Sequence, residues 1–185
     1  MAILKIARMG HPVLLQVAEP VEDPTAPEIR RLVADMAETM IDASGLGLAA
    51  PQVHVPLRIF VWRNGDNVAA LVNPEIELLG PADQRGWEGC LSIPGLRGNV
   101  ERAARVAFRG TDIEGKFVEG EAEGLLARVM QHEIDHLDGI LYPARMSDLS
   151  LFGFTDELAR AATTMHHVAQ RPKAAQPDAQ PDAAR

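Results

Sequence analysis

The sequence predicts a single α+β domain, and three observations predict it. Apolar residues recur at helical spacing over 29–41 and again over 126–137. Between these segments, from Pro56 to Phe117, short apolar runs alternate with turn residues, the pattern of a largely antiparallel set of strands. Helix, strands, then helices is the order of an α+β fold rather than of repeated βαβ units. A chain of 185 residues, 46% hydrophobic and 24% charged, has the length and composition to bury one core of its own.

The first helix follows Thr25-Ala-Pro-Glu28, which fits a capping box with an early proline. Ile29, Leu32, Val33, Met36, Ala37, Met40 and Ile41 form its apolar face, and Ser44-Gly45 stops it. The strands are expected at LRIFVW, AALVN, IELL, ARVAFRG and KFVEG, with Asp66, Arg109-Gly110 and Glu114-Gly115 in or near turns. A second helix spans about Glu123 to Asp138 with Gly139 as its stop, and a third runs from about Ser147 into the 160s. The domain is expected to occupy residues 1–169. Over 170–185 the only apolar side chains are alanines and Ala-Gln-Pro-Asp occurs twice, so this stretch reads as a disordered tail.

Eighteen Lys and Arg against 26 Asp and Glu give a formal net charge of −8. That balance argues against a phosphate-tracking nucleic-acid binder and against a polybasic membrane anchor. No apolar run approaches the roughly 20 residues that cross a bilayer. The opening MAILKIARMGHP has neither the apolar length of a signal peptide nor the character of a transit peptide. Cys90 is the one cysteine, so the chain forms no internal disulfide and a reducing, cytoplasmic setting is expected.

The second helix contains Gln131-His132-Glu133-Ile134-Asp135-His136, a match to H-E-x-x-H. Histidines at i and i+4 lie one turn apart on one face and can converge on a single ion. Glu133 between them can reach a water on that ion rather than the ion itself. A catalytic site of this kind uses three protein ligands and keeps a position for water. The third ligand is one of His11, His54, His166, His167, a carboxylate or Cys90. A thiolate suits a borderline ion best, whereas a lone cysteine also reads as a small buried hydrophobe. Cys90 stands in Trp87-Glu88-Gly89-Cys90-Leu91-Ser92-Ile93-Pro94-Gly95, a loop or bent strand. A third segment, Gly45-Leu46-Gly47-Leu48-Ala49-Ala50-Pro51-Gln52, fails as a dinucleotide fingerprint because a helix precedes it and Pro51 blocks the next one. It reads as an irregular loop that lets a ligand approach the backbone closely, with Gln52 offering an amide donor.

Taken in order, G-x-G-x-A-A-x-Q at 45–52, E-G-C-x-S at 88–92 and Q-H-E-x-D-H at 131–136 resemble the peptide deformylases, over about residues 3–150. The resemblance implies an α+β domain whose H-E-x-x-H helix is packed among antiparallel strands. It implies removal of the N-formyl group from the initiator methionine of new polypeptides, with release of formate. Cys90, His132 and His136 would hold one divalent ion, Fe2+ by resemblance, with Zn2+, Ni2+ or Co2+ able to substitute. Water at the ion's fourth position would attack the formyl carbon, with Glu133 as general base and then acid. The Gln52 amide and the Leu91 N–H would face the developing oxyanion. Leu46, Gly47, Arg97, Leu125, Arg128 and Val129 match the family's methionine pocket, and the backbones of Leu46 and Gly89 could pair with an extended peptide. Glu88 is a candidate orienting group, and Asp135 is expected to pair with an arginine such as Arg102. The implied partners are N-formylmethionyl nascent peptides and the ribosome that carries them, with no nucleic-acid specificity and no membrane. The rival readings are a zinc endopeptidase and a catalytically silent relative that only binds.

Overall fold

A computed structural model describes residues 2–161, so the segment 162–185, including the expected tail and His166 and His167, lies outside the described residues. Helix α1 runs Pro27–Asp42 and helix α2 Gly124–Leu137, with strands β1 Gly47–Ala49, β2 Ile59–Asn64, β3 Asn67–Leu78, β4 Gln84–Cys90, β5 Ile93–Arg102, β6 Arg105–Thr111, β7 Phe117–Glu123 and β8 Phe152–Phe154. The strands form two sheets, one in the order β1-β2-β3-β6-β7 and one in the order β4-β5-β8, and every pairing is antiparallel. Among the described residues no helix is long and apolar enough to cross a membrane.

Alternation along the strands splits the core between the two faces of the larger sheet. Leu48, Ile59, Val61 and Val72 pack with Ile29, Val33, Met36 and Met40 of α1. Ala49, Phe60, Trp62 and Leu71 pack with Ala127, Met130, Ile134 and Leu137 of α2. The other side of α2 meets β4 through contacts from Glu88 and Cys90 to its two histidines, which sandwiches the helix between the sheets. All residues from Met130 to Leu137 are buried, as expected of a helix enclosed on every side.

Several local expectations are corrected. No capping box starts α1. Its N-cap is Ala26, which has no side-chain acceptor, and the Thr25 hydroxyl, one residue earlier, donates to Asp23 at 2.7 Å. The helix does stop just before Ser44-Gly45, but Ser44 rather than glycine takes the left-handed conformation, with φ 56°. The AALVN and IELL runs are one strand, β3, with a register shift between Val72 and Glu75. Arg109-Gly110 lies inside β6, not in a turn. Gly110 is needed there for close approach, since a Cβ would stand 2.8 Å from Leu71 Cγ and 2.9 Å from the Val72 carbonyl. The segment 45–52 is more regular than a loop, with β1 followed by a 3-10 turn over Ala50–Val53. The helix expected from Ser147 is replaced by a 3-10 turn at Leu149–Leu151 and strand β8, with helix resuming over 155–161.

Candidate active site

The H-E-x-x-H segment buries five polar side chains in a row of enclosed positions, so each needs a partner. Gln131 is satisfied by the backbone of Ala103, accepting from its N–H at 3.0 Å and donating to its carbonyl at 2.9 Å. Asp135 takes Arg102 at 2.6 Å and Arg145 at 2.7 Å, so it does pair with Arg102. His132 turns Nδ1 to Glu88 Oε2 at 2.9 Å. What remains faces the cavity or its floor. Glu133 Oε2 and His136 Nδ1 are buried without a hydrogen-bond partner among the described residues.

Strand β4 brings Cys90 to this face of the helix. The strand is bent, with its register against β5 broken between Gly89 and Cys90. Cys90 Sγ lies 3.2 Å from His136 Nε2, and one ligand atom from each of Cys90, His132 and His136 falls within 4.8 Å of the others. Among the described residues this is the cluster that could hold a metal ion. His11 and His54 instead stack edge to face on each other, 4.7 Å between ring centres, away from the cluster. Asp138, in the region where a zinc peptidase would carry its next ligand, pairs with Arg58 at 2.8 Å.

The electrostatics of the cluster favour a cation. Burial alone would depress His132, but the neighbouring Cys90 thiol and Glu88 carboxylate outweigh it and hold His132 up at about 10 in the metal-free protein. Burial would raise Glu88, yet hydrogen bonds from His132 and Arg102 bring it down to about 2. A pocket that pulls a proton onto a buried imidazole is one in which a positive ion is stabilised at the same place. Burial pushes Glu133 up to about 7 and His136 well below its usual value. A thiolate and two imidazoles, with a carboxylate orienting one ring, fit a divalent transition metal.

The ligand cluster opens into a cavity of about 530 Å³. Every predicted site residue except His136 lines it: Leu46 and Gly47 on the β1 side, Gly89, Cys90, Leu91 and Arg97 on the β4–β5 side, and Leu125, Arg128, Val129, His132 and Glu133 from α2, with Gln52 at the back. Gln52 is placed by the 3-10 turn that follows β1. Its Oε1 accepts from Ala49 N–H at 2.9 Å, which aims Nε2 at Cys90 Sγ, 3.6 Å away, and at the Ser92 hydroxyl. Gly47 meets the Glu133 carboxylate so closely that a Cβ would stand 2.3 Å from Oε1. The Arg128 guanidinium is held in the cavity wall, through Glu88 and the carbonyls of Val100 and Gln84. Sequence reasoning also missed Trp87 and Thr155 on the cavity wall, and Tyr142, whose ring stacks on His132 at 6.0 Å. Only the proximity of Trp87 to the E-G-C motif offered a signal.

Known proteins place this arrangement. The polypeptide deformylase family model matches residues 3–151. Peptide deformylase 1 of Bordetella pertussis is 50% identical over 163 residues, covering 83% of this chain and 93% of that protein. The crystal structure of the Thermotoga maritima peptide deformylase superposes with a TM-score of 0.77 at 39% identity, covering 80% of this chain and all of the other. An Acinetobacter baumannii peptide deformylase crystallised with Met-Ala-Ser superposes with a TM-score of 0.74 at 35% identity, over 78% of this chain and all of the other. On fold and sequence together, the chain belongs to the polypeptide deformylase family.

Proposed function

We propose that the protein hydrolyses the formyl amide of N-formylmethionyl nascent peptides, leaving formate and a free α-amine, with Cys90, His132 and His136 as metal ligands and Glu133 as the acid–base residue. The observation that carries the reading is the convergence of these ligand atoms within 4.8 Å beside an unpartnered buried carboxylate. A divalent ion bound there supplies Lewis acidity and a water acidic enough to be deprotonated near neutral pH. Fe2+ is the proposed ion, with Zn2+, Ni2+ or Co2+ as substitutes, because a mixed thiolate and imidazole set accepts all of them.

The chain's own residues do the rest. Glu133 takes a proton from the attacking water and hands it to the departing amine nitrogen. Its buried, partner-free Oε2 leaves it available for that transfer. As the formyl carbon becomes tetrahedral its oxygen gains charge, and the Gln52 Nε2–H, held in place through Oε1, donates to it. The backbone N–H of Leu91, the residue after Cys90, is the second proposed donor, and two such donors contribute a few kcal/mol each. An extended peptide is proposed to lie along the cavity between β1 and β4, both edge strands of their sheets, adding backbone hydrogen bonds near Leu46 and Gly89. Leu125, Val129 and the aliphatic stem of Arg128 would enclose the methionine side chain, and Arg97 would reach the peptide beyond it. The cytoplasm, at chains emerging from the ribosome, is the proposed setting.

Anaerobic purification with metal analysis, followed by assay of formyl-Met peptides beside unformylated peptides on the same sample, tests this reading. Formate release from the formylated peptide alone is expected. Cleavage of only the unformylated peptides would overturn it in favour of an endopeptidase.

A further inference from the structure

We infer that Arg128 and Gly86 are a matched pair that fixes the geometry of the metal site through Glu88, with Arg128 as a positioning residue. The inference rests on Cys90, His132 and His136 being the ligand set. Arg128 precedes His132 by four residues on α2, so the two side chains leave the same face of the helix. They converge on one carboxylate, Arg128 Nη1 donating to Glu88 Oε1 at 2.9 Å while His132 Nδ1 meets Oε2 at 2.9 Å. The same Nη1 donates to the Val100 carbonyl at 2.9 Å, and Nη2 donates to the Gln84 carbonyl. Arg128 therefore ties α2 to both β4 and β5 through a side chain only 13% exposed.

Cys90 stands two residues beyond Glu88, on the strand that Arg128 holds at Gln84 and Glu88. Arg128 thus fastens the strand bearing the thiolate ligand to the helix bearing both imidazole ligands. Arg102 provides a separate tie from Glu88 to Asp135, about two turns beyond Arg128 along α2. Loss of Arg128 accordingly leaves the Glu88 charge paired but removes the contact nearest the cavity.

Gly86 explains why the guanidinium fits. A Cβ there would stand 2.8 Å from both Cζ and Nη2 of Arg128 and 3.0 Å from Nε. A planar group gripped by two carbonyls and a carboxylate has little room to yield. Gly86 does not adopt positive φ, so backbone freedom is not what the position requires. It supplies space.

Four proteins test the pairing: wild type, Gly86→Ala, Arg128→Met and the double variant, each loaded with Co2+. The readouts are the Co2+ dissociation constant from chelator competition and the absorption bands of the thiolate-bound cobalt, which report ligand geometry independently of turnover. Each single variant is expected to weaken Co2+ binding roughly 10- to 100-fold and to shift the bands. The double variant is expected to bind no more weakly than Arg128→Met, because an alanine methyl has room once the guanidinium is gone. Should Arg128→Met fail to fold, Gly86→Ala carries the test, since it displaces the guanidinium without deleting it. Wild-type affinity and spectrum in Gly86→Ala would overturn the pairing, as would a double variant whose loss is the product of the single losses. A wild-type protein that takes up no Co2+ would overturn the ligand set itself, and this inference with it.

Discussion

Gly47→Ala moves the proposed acid–base residue without touching a reacting group, which makes it the sharpest probe of Glu133. The added Cβ would lie 2.3 Å from Glu133 Oε1, 2.8 Å from Cδ and 3.0 Å from Cγ, against an ordinary contact distance of 3.4 Å. The carboxylate must therefore retreat by roughly 1 Å, and because Cγ is also too close the whole side chain has to move. Glu133 is 3% exposed, so the shift takes it either against packed neighbours or into the cavity it lines, off its present position in both cases. A displacement of about 1 Å in a group that must meet a proton costs on the order of 100-fold in rate, or about 2.7 kcal/mol in the barrier. The metal ligands come from β4 and from positions 132 and 136, so metal content should stay at the wild-type level. The assay is kcat for a formyl-Met peptide on protein whose metal has been quantified in the same preparation. A Gly47→Ala protein with wild-type kcat would refute the placement of the base. A fall in kcat that tracks metal loss would show that the perturbation acts on the ligands instead.

Four further outcomes are expected. Glu133→Ala should retain metal and lose nearly all turnover, while Cys90→Ala should lose metal; a fully metallated Cys90→Ala protein would sink the ligand assignment. In the metal-free protein, His132 is held up at about 10 against an ordinary 6.5, so its stabilising contribution is complete below 6.5 and lost as pH rises through about 10. Glu133, raised to about 7, has lost its own contribution by that pH, and His136, lowered well below 6.5, no longer titrates there. The metal-free Tm should therefore fall between pH 7 and 10, whereas in the loaded protein His132 has no proton to lose and the gap between the two forms widens; parallel curves would contradict this. Asp135→Asn uncouples one side of the buried Arg102 and should cost about 3 kcal/mol in denaturant unfolding at unchanged m-value, whereas a shift below about 0.5 kcal/mol would mean that Glu88 alone satisfies the guanidinium.

The elements most legible in the sequence were those whose chemistry is local. The spacing of His132 and His136 and the apolar residues around them determine both a helix and a shared face, so α2 was found within a residue at each end. Strand β5 was missed because Pro94, Gly95, Gly98 and the arginines read as turn and surface. Its strand character comes from pairing with β4 on one side and β8 on the other, which is tertiary. Gly110 misled in the opposite direction, since a glycine that signals a turn can equally serve close packing against a neighbouring strand. The cap at Thr25 is not realised because the helix begins one residue later, which puts alanine at the N-cap, and Thr25 turns to Asp23 instead. Within the site, the identity of the clustered residues was readable from three motifs, whereas the grip on Glu88 was not. Arg102, Arg128 and His132 reach that carboxylate across 14 to 44 positions of chain, and no local pattern encodes such a meeting.

The enclosure of α2 has a consequence for how this molecule fails. Many enzymes keep their reactive groups on surface loops that loosen well before the body of the protein melts. Here two of the three proposed ligands and the proposed acid–base residue share the stretch from Met130 to Leu137 with the innermost packing, so α2 cannot open without releasing both. Amide protons of this stretch should be among the last to exchange, and heat inactivation should coincide with global unfolding rather than precede it. Durability of the fold and durability of the chemistry are, in this chain, a single quantity.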